Sequence, residues 1–195
     1  MNHLAHLFLS QSDLNLMVGN YIADHVKGKK INTFSPEIQQ GILMHRGIDQ
    51  FTDEHPIVQK SKERLYPKYR KYAAVLVDMF YDHVLAKNWA NYSPIPLETF
   101  TQSVYRALLA KEPLFPKSAK LMFEHMTRFD WLFHYSTIEG MQKALNGLSR
   151  RATFVSRMEE ANSDLQHDFI LYEKEFEEFF PQLIEYANTW TKAYD

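Results

Sequence analysis

The sequence predicts an all-α fold, and three observations support this prediction. Only six Gly and eight Pro interrupt the 195 residues of the chain. The apolar residues mostly recur at intervals of three and four, the spacing that buries one face of a helix. No two segments read as a pair of β-strands. Because no internal repeat or flexible linker divides the chain, we expect a single-domain helical bundle over residues 1–195.

The composition excludes several classes of protein. Hydrophobic residues make up 45% of the chain and aromatic residues 14%, which excludes a disordered protein. No apolar run approaches the roughly 18 residues of a membrane span, and the first residues lack the features of a signal peptide. We therefore expect a soluble, cytoplasmic protein. The net charge of −2 gives no general attraction to nucleic acid.

Two helices are predicted in the first quarter of the chain. The first runs over about residues 13–26 and ends before Gly28, which can adopt a left-handed conformation at a helix C-terminus. A basic loop, KGKK, follows it. Ser35 then provides an N-cap and Pro36 a first-turn proline for a helix that continues to about Asp53.

Prolines predict several boundaries in the rest of the chain. Pro56 starts a helical run, which we expect Pro67 to interrupt before a long helix continues to Trp89. Thr137 is a predicted N-cap, and Pro181 predicts a kink or break in the last, acidic segment. The other predicted helices cover about residues 97–110, 117–134, 138–151 and 156–194.

One helix places a histidine and an acid on the same face. In ILMHRGIDQFTDEH, residues 42–55, His45 and Asp49 are four positions apart, so both side chains can reach one point in front of the helix. This spacing suits metal ligands, although a hydrogen-bonded His beside a surface Asp would share it. Because the chain has no Cys, a metal would have to be held by His, Asp, Glu or water.

A second helix carries Asp78, Asp82 and His83 in VLVDMFYDHVLA, residues 75–86. Its other residues are so apolar that it must be buried on most sides. A buried carboxylate needs a partner, which would be either a metal cation or a basic residue such as Arg46 or Arg70.

A third helix, GNYIADHVKG over residues 19–28, places Asn20 one turn before Asp24. Asp24 is either an inward carboxylate or a surface acid that precedes the basic loop. His6 would share a face with His3 if the chain starts with a helix, but single histidines are weak indications of a site. The adjacent pair His167-Asp168 lies in a polar segment that we interpret as solvent-exposed and not catalytic.

The segments MNHLAH, GNYIADHVKG, MHRGIDQFTD and DMFYDHVLAKNW, in this order and spacing, resemble the acyl carrier protein phosphodiesterases. The resemblance spans most of the chain and is densest over residues 1–90. It implies an all-α fold distantly related to HD-type metal phosphohydrolases. It also implies hydrolysis of the phosphodiester between 4'-phosphopantetheine and the serine of holo acyl carrier protein, with a divalent metal such as Mn²⁺. We expect an aromatic residue in the family where this chain has His3, so His3 is not counted as a ligand.

The residues that match the family's polar motifs form the expected metal site. The expected metal ligands are Asp24, His45, Asp49, Asp78 and Asp82. Oxygen and imidazole ligands favour Mn²⁺ or Mg²⁺, and Fe²⁺ and Zn²⁺ also accept them. A metal there would place positive charge on the phosphoryl oxygens and activate a water.

Other residues are expected to act on the substrate. Arg46 would stabilise the charge on the phosphoryl group, His83 would transfer protons, and Asn20 is counted with these catalytic residues. The basic loop after Asp24 would contact the carrier protein through Lys27, Lys29 and Lys30.

Two other functions remain open from the sequence. An HD-like phosphohydrolase acting on a nucleotide or another small phosphoester would use the same metal site, and activity on holo carrier protein against nucleotides separates the two. A non-catalytic helical scaffold would hold the same groups as buried ion pairs, and metal analysis of the purified protein distinguishes it.

Overall fold

The computed structural model describes residues 1–11 and 13–191, and this part of the chain forms eleven α-helices with no strand. The predicted all-α fold is therefore confirmed. The helices are α1 (His3–Leu9), α2 (Leu14–Ile22), α3 (Pro36–Glu54), α4 (Pro56–Tyr69), α5 (Ala73–Lys87), α6 (Leu97–Leu109), α7 (Lys117–Arg128), α8 (Trp131–His134), α9 (Ile138–Arg151), α10 (Ala161–His167) and α11 (Phe169–Thr191).

The first helix, α1, is additional to those predicted from the sequence. It has seven residues, and its N-cap, Asn2, makes no side-chain capping bond. Its first free amides, those of Leu4 and Ala5, instead donate to the carboxylate of Asp82 on α5, at 2.7 and 3.1 Å. A cap supplied from 77 residues away leaves no local sequence signal.

Helices α2 and α3 approach each other closely because each has a glycine at the contact. A Cβ on Gly19 would lie 2.2 Å from the carbonyl oxygen of Ile38, and one on Gly41 would lie 2.3 Å from that of Leu16. A larger residue at either position would push the two helices apart. This close packing brings the side chains of α2 within hydrogen-bonding distance of those on α3.

The predicted helix over residues 13–26 is shorter in the structure. Asp13 caps α2 by accepting from the amides of Asn15 and Leu16, but the α-helix ends at Ile22 and continues as a 3₁₀ helix, Ala23–His25. Gly28 adopts the expected left-handed conformation, with φ of 55°. It begins a second 3₁₀ helix, Gly28–Thr33, which contains the basic loop except for Lys27, the N-cap.

The interruption predicted at Pro67 is wrong, and Pro181 does not break its helix. Pro67 lies inside α4, and the chain breaks only at Arg70, whose φ is 52°. Pro181 lies inside the continuous helix α11, so the predicted break does not occur. Each proline removes one helical hydrogen bond, but buried neighbours such as Tyr69 and Phe180 anchor these helices in the core.

The C-terminal half contains more breaks than predicted. The helix expected over residues 117–134 is divided into α7 and α8 at Asp130, which has φ of 43°. The segment expected to start near residue 156 forms α10 and α11, and its predicted end at residue 194 lies outside the described residues. Thr137 caps α9 as predicted, because its side chain accepts from the amide of Gly140 at 3.0 Å. None of the described helices is long and apolar enough to cross a bilayer.

Candidate metal centre

A cavity of about 280 Å³ lies where α3, α5 and α9 meet the 3₁₀ helix after α2. Its wall includes four Asp side chains and several apolar residues. It also includes one imidazole, that of His45. The lining residues are Met1, Asn2, Asp24, His45, Asp49, Asp53, Ala74, Val75, Asp78, Met79 and Leu148. The structure therefore brings Asp24, His45, Asp49 and Asp78, four of the five expected ligands, to one cavity.

The imidazole of His45 lies between two carboxylates. Its Nε2 is 3.2 Å from Asp49 Oδ2 and 3.5 Å from Asp24 Oδ1. His45 is 6% exposed, whereas the Asp24 side chain is 69% exposed. The three groups thus converge at the boundary between the core and solvent, where an ion can enter and still be partly desolvated.

Asn20 fixes the orientation of His45. The amide nitrogen of Asn20 donates to the backbone oxygen of His6 and to Ser10 Oγ, both at 2.9 Å. Because a carbonyl oxygen can only accept, the Asn20 side-chain oxygen must face His45 Nδ1, 2.9 Å away. His45 therefore carries its proton on Nδ1, and when the ring is neutral the lone pair on Nε2 faces Asp24 and Asp49.

His6 also belongs to this cluster, although it was not among the expected ligands. Its ring stacks on that of His45, with centroids 3.9 Å apart and an interplanar angle of 15°. Its Nε2 lies 3.0 Å from Asp49 Oδ1 and 3.1 Å from the backbone oxygen of Met1. Ligand atoms of His6, His45 and Asp49 lie within 4.8 Å of one another, an arrangement compatible with a divalent metal.

The electrostatics of the cluster favour a positive charge between the carboxylates. Burial lowers the pKa of His45, but the hydrogen bonds to Asp24 and Asp49 outweigh it and raise that pKa to about 9. The same hydrogen bond from His45 lowers the pKa of Asp24 to about 2. Burial raises the pKa of Asp49, yet contacts with His45 and His6 hold it well below its usual range. Burial lowers the pKa of His6 to about 3, so this ring is neutral.

Asp78 faces the cavity from α5. Its Oδ1 lies 3.1 Å from the amino group of Met1, which is also 3.5 Å from Asp49 Oδ1. Burial raises the pKa of Asp78 although the ammonium group acts in the opposite direction. The positive charge of Met1 is thus held between carboxylates of α3 and α5.

Asp82, the fifth expected ligand, does not line the cavity. It is fully buried, and its two oxygens accept the amides of Leu4 and Ala5 at the start of α1. Burial raises the pKa of Asp82 to about 7, and these two amides act against that shift. The carboxylate acts as a tertiary cap, which holds α1 and therefore His6 in place.

The residues expected to act on the substrate are placed differently. Arg46 is exposed and donates to the backbone oxygen of Val26 at 2.9 Å, and His83 places Nδ1 2.6 Å from the backbone oxygen of Tyr135. Neither lines the cavity. Asn20 contacts His45 and does not line the cavity itself. The remaining expected contacts are exposed at the start of the second 3₁₀ helix, where Lys27 is the N-cap and the helix contains Lys29 and Lys30.

Comparison with known proteins places the whole chain in one group. The sequence profile described as acyl carrier protein phosphodiesterase matches residues 1–183. An acyl carrier protein phosphodiesterase from Enterobacter sp. (strain 638) is 31% identical over 188 residues, which are 96% of this chain and 97% of that protein. One from Escherichia coli O6:H1 is 31% identical over 189 residues, 96% of this chain and 98% of that protein. No solved structure matches the chain.

Proposed function

The chain belongs to the acyl carrier protein phosphodiesterase family, and from this membership we propose that it uses the cavity beside His45 as the active site of a phosphodiesterase. The enzyme hydrolyses the phosphodiester of holo acyl carrier protein, which yields apo carrier and 4'-phosphopantetheine. The cytoplasmic location predicted from the sequence is part of the same proposal.

The observation that carries this proposal is the orientation of His45. Asn20 accepts from Nδ1–H, so the lone pair on Nε2 of the neutral ring faces the carboxylates of Asp24 and Asp49. A phosphodiester repels hydroxide because both are negatively charged, and its alkoxide is a poor leaving group. An active site must therefore supply positive charge and an activated water. A fixed imidazole nitrogen between Asp24 and Asp49 is a donor set that binds a divalent cation, and this cation would supply both.

We assign the metal to Asp24, His45 and Asp49, with Asp78 and His6 completing the set from α5 and α1. Carboxylate oxygens with imidazole suit Mn²⁺, our proposed metal, and also Mg²⁺, Fe²⁺ and Zn²⁺. His6 can bind through Nε2 only as the tautomer that carries its proton on Nδ1, an atom that is buried without a partner among the described residues. Binding also requires His45 to lose a proton.

The other residues are assigned from their contacts. Asn20 holds the tautomer and direction of His45, and Asp82 holds α1, so both are positioning residues. The contacts of Arg46 and His83 lie outside the cavity, and we therefore assign neither of them to the reacting atoms. The exposed lysines that follow Asp24 are proposed contacts of the carrier protein, and they are Lys27, Lys29 and Lys30.

Mass spectrometry of holo carrier protein incubated with the enzyme and Mn²⁺ tests the function. We expect the carrier to lose the mass of the prosthetic group, and we expect a chelator to stop this loss. His45→Ala is the inactive control, and nucleotides are tested in parallel as competing substrates. Intact holo carrier together with hydrolysed nucleotide would favour the HD-like alternative, and intact substrates with no bound metal would favour a scaffold.

A further inference from the structure

The cavity attracts cations, whereas the substrate of the proposed function is an anion. The acidic lining residues are Asp24, Asp49, Asp53 and Asp78. No Lys or Arg side chain of the described residues lines the cavity, and its two positive groups, the Met1 ammonium and the His45 ring, are already paired with these carboxylates. A phosphodiester carries one negative charge at neutral pH. Beside the metal of the proposed function, a cation at the mouth would help to bring the phosphodiester to this acidic floor and hold it there.

Arg151 is placed to supply that charge. Leu148 lines the cavity from α9, and Arg151 follows it by three residues, which places both on the same side of the helix. The Arg151 side chain is exposed, and the described part of the chain gives its guanidinium no hydrogen bond or ion pair. Burial is the main reason that the pKa of His3 falls to about 4, and the charges of Asp24 and Arg151 act on this ring in opposite directions.

The end of α9 is held beside the start of α5. The Tyr72 hydroxyl accepts from the amide of Phe154 at 3.3 Å and lies 3.4 Å from its carbonyl oxygen. The Lys71 ammonium lies 3.8 Å from the centre of the Phe154 ring. These contacts fix the segment directly after Arg151 against the helix that carries Val75 and Asp78. Lys71 is engaged by this ring, whereas Arg151 has no such partner among the described residues.

We propose that Arg151 is a substrate-positioning residue whose guanidinium binds the non-bridging oxygens of the phosphodiester at the mouth of the cavity. The proposal rests on the proposed function. The planar guanidinium offers two parallel N–H donors to two phosphoryl oxygens, a geometry that a lysine ammonium does not reproduce. The apolar lining residues Val75, Met79 and Leu148 are then available to contact the pantetheine arm.

The test compares Arg151→Ala and Arg151→Lys with Arg150→Ala. Arg150 is the matched control because it is exposed, has the same charge and lies about a quarter-turn away on the same helix. We expect Arg151→Ala to lower kcat/KM by about tenfold or more on holo carrier and on a small diester, bis-nitrophenyl phosphate. Arg151→Lys should recover part of the loss. Arg150→Ala should match wild type, and Mn²⁺ affinity should change less than about twofold in all three variants.

Several results would overturn the proposal. Equal activity of the Arg151→Ala and Arg150→Ala variants would exclude the role, and a loss restricted to holo carrier would make Arg151 a contact of the carrier protein instead. A parallel fall in Tm or Mn²⁺ affinity would indicate a structural role. If the wild-type enzyme leaves holo carrier intact, the proposed function is wrong, and this result does not depend on the role of Arg151. Titration of inorganic phosphate into the Mn²⁺-loaded variants still tests Arg151, since we expect only its substitution to weaken phosphate binding.

Discussion

Helices α3 and α5 each carry two polar residues four positions apart, but the structure uses the two pairs differently. His45 and Asp49 on α3 both face the cavity. On α5, Asp78 faces the cavity, whereas Asp82 is fully buried and accepts two amides of α1. The same spacing therefore places both residues of the pair at the cavity on α3, whereas on α5 only one residue of the pair faces the cavity.

The difference shows that spacing places side chains on one face, but the element covering that face decides their role. The start of α1 packs over Asp82 and uses its two oxygens. The cavity leaves the face of His45 and Asp49 open to an incoming ion. Substitutions on the two helices should therefore separate loss of activity from loss of stability.

The largest effect is expected for His45→Ala. It should lower kcat/KM on holo carrier by about a thousandfold or more, equivalent to about 4 kcal/mol, because the metal loses the ligand that Asn20 directs. The far-UV circular dichroism spectrum should stay helical, since no large apolar group is removed. Near-wild-type turnover with metal still bound would remove His45 from the site.

Asp82→Ala should act mainly on stability. We expect the free energy of unfolding to fall by about 2–4 kcal/mol, because the buried amides of Leu4 and Ala5 lose their acceptor. Asp78→Ala on the same helix is the control, with a smaller change in stability and a larger loss of activity. Urea unfolding and kcat/KM measured on both variants decide between these roles. A stable but inactive Asp82→Ala protein would return Asp82 to the metal site.

The predicted helices and much of the site follow from local sequence pattern. The four-residue interval between His45 and Asp49 fixes their common face whatever the rest of the fold does. Acids among apolar neighbours need a partner, which made Asp24 and Asp78 candidates, and the family resemblance then implied that they bind a metal. Three of the four acids that line the cavity were therefore identified without knowledge of tertiary structure, and Asp53 was not among the expected site residues.

The parts that were missed depend on contacts between distant segments. His6 meets Asp49 across 43 residues, and its only sequence signal is a histidine within the apolar run HLAHLFL. Asp82 looks like a ligand until α1 is packed over it. Arg46 follows His45 directly, but adjacent residues point about 100° apart on a helix, so its guanidinium reaches Val26 and not the cavity.

The stability of the metal-free protein should depend on pH through His45. Its pKa in the folded protein, about 9, lies above the unfolded value of 6.5, so its stabilising contribution is complete below pH 6.5 and lost as pH rises through 9. The loss should be on the order of 3 kcal/mol. This is measured by urea unfolding in chelator across this pH range. The free energy of unfolding should fall less steeply with pH in His45→Gln than in the wild-type protein. An identical pH dependence of the free energy of unfolding in both proteins would show that His45 does not have this raised pKa.

The affinity for Mn²⁺ should depend on pH in the opposite direction from the stability of the metal-free protein. A metal competes with the proton for Nε2 of His45, so Mn²⁺ affinity should increase as pH rises toward 9. Calorimetric titration in buffers of different ionisation enthalpy measures the proton that is released. Binding without proton release below pH 8 would show that His45 is not a ligand.

Asn20→Ala should have an intermediate effect, on metal binding more than on folding. Without an acceptor for Nδ1–H, the His45 ring can rotate or change tautomer, and Mn²⁺ affinity should fall by about 10- to 100-fold. Asn20→Asp keeps the acceptor for His45 and should retain more of the affinity. Equal Mn²⁺ affinity of the wild-type and Asn20→Ala proteins would show that Asn20 does not position His45.

The smallest effect is expected for His167→Ala, which serves as the matched histidine substitution outside the site. His167 and Asp168 are adjacent in the sequence, but His167 ends α10 and Asp168 is the C-cap between α10 and α11. Their closest side-chain atoms, Nε2 and Oδ1, are 3.9 Å apart, and the His167 side chain is 86% exposed at the end of α10. An exposed imidazole neither desolvates a substrate nor holds a fixed tautomer. We therefore expect unchanged kcat/KM and a change in stability within about 0.5 kcal/mol. A loss of activity approaching that of His45→Ala would move the active site to the junction of α10 and α11, because sequence adjacency would then have identified the catalytic pair that the cavity does not contain.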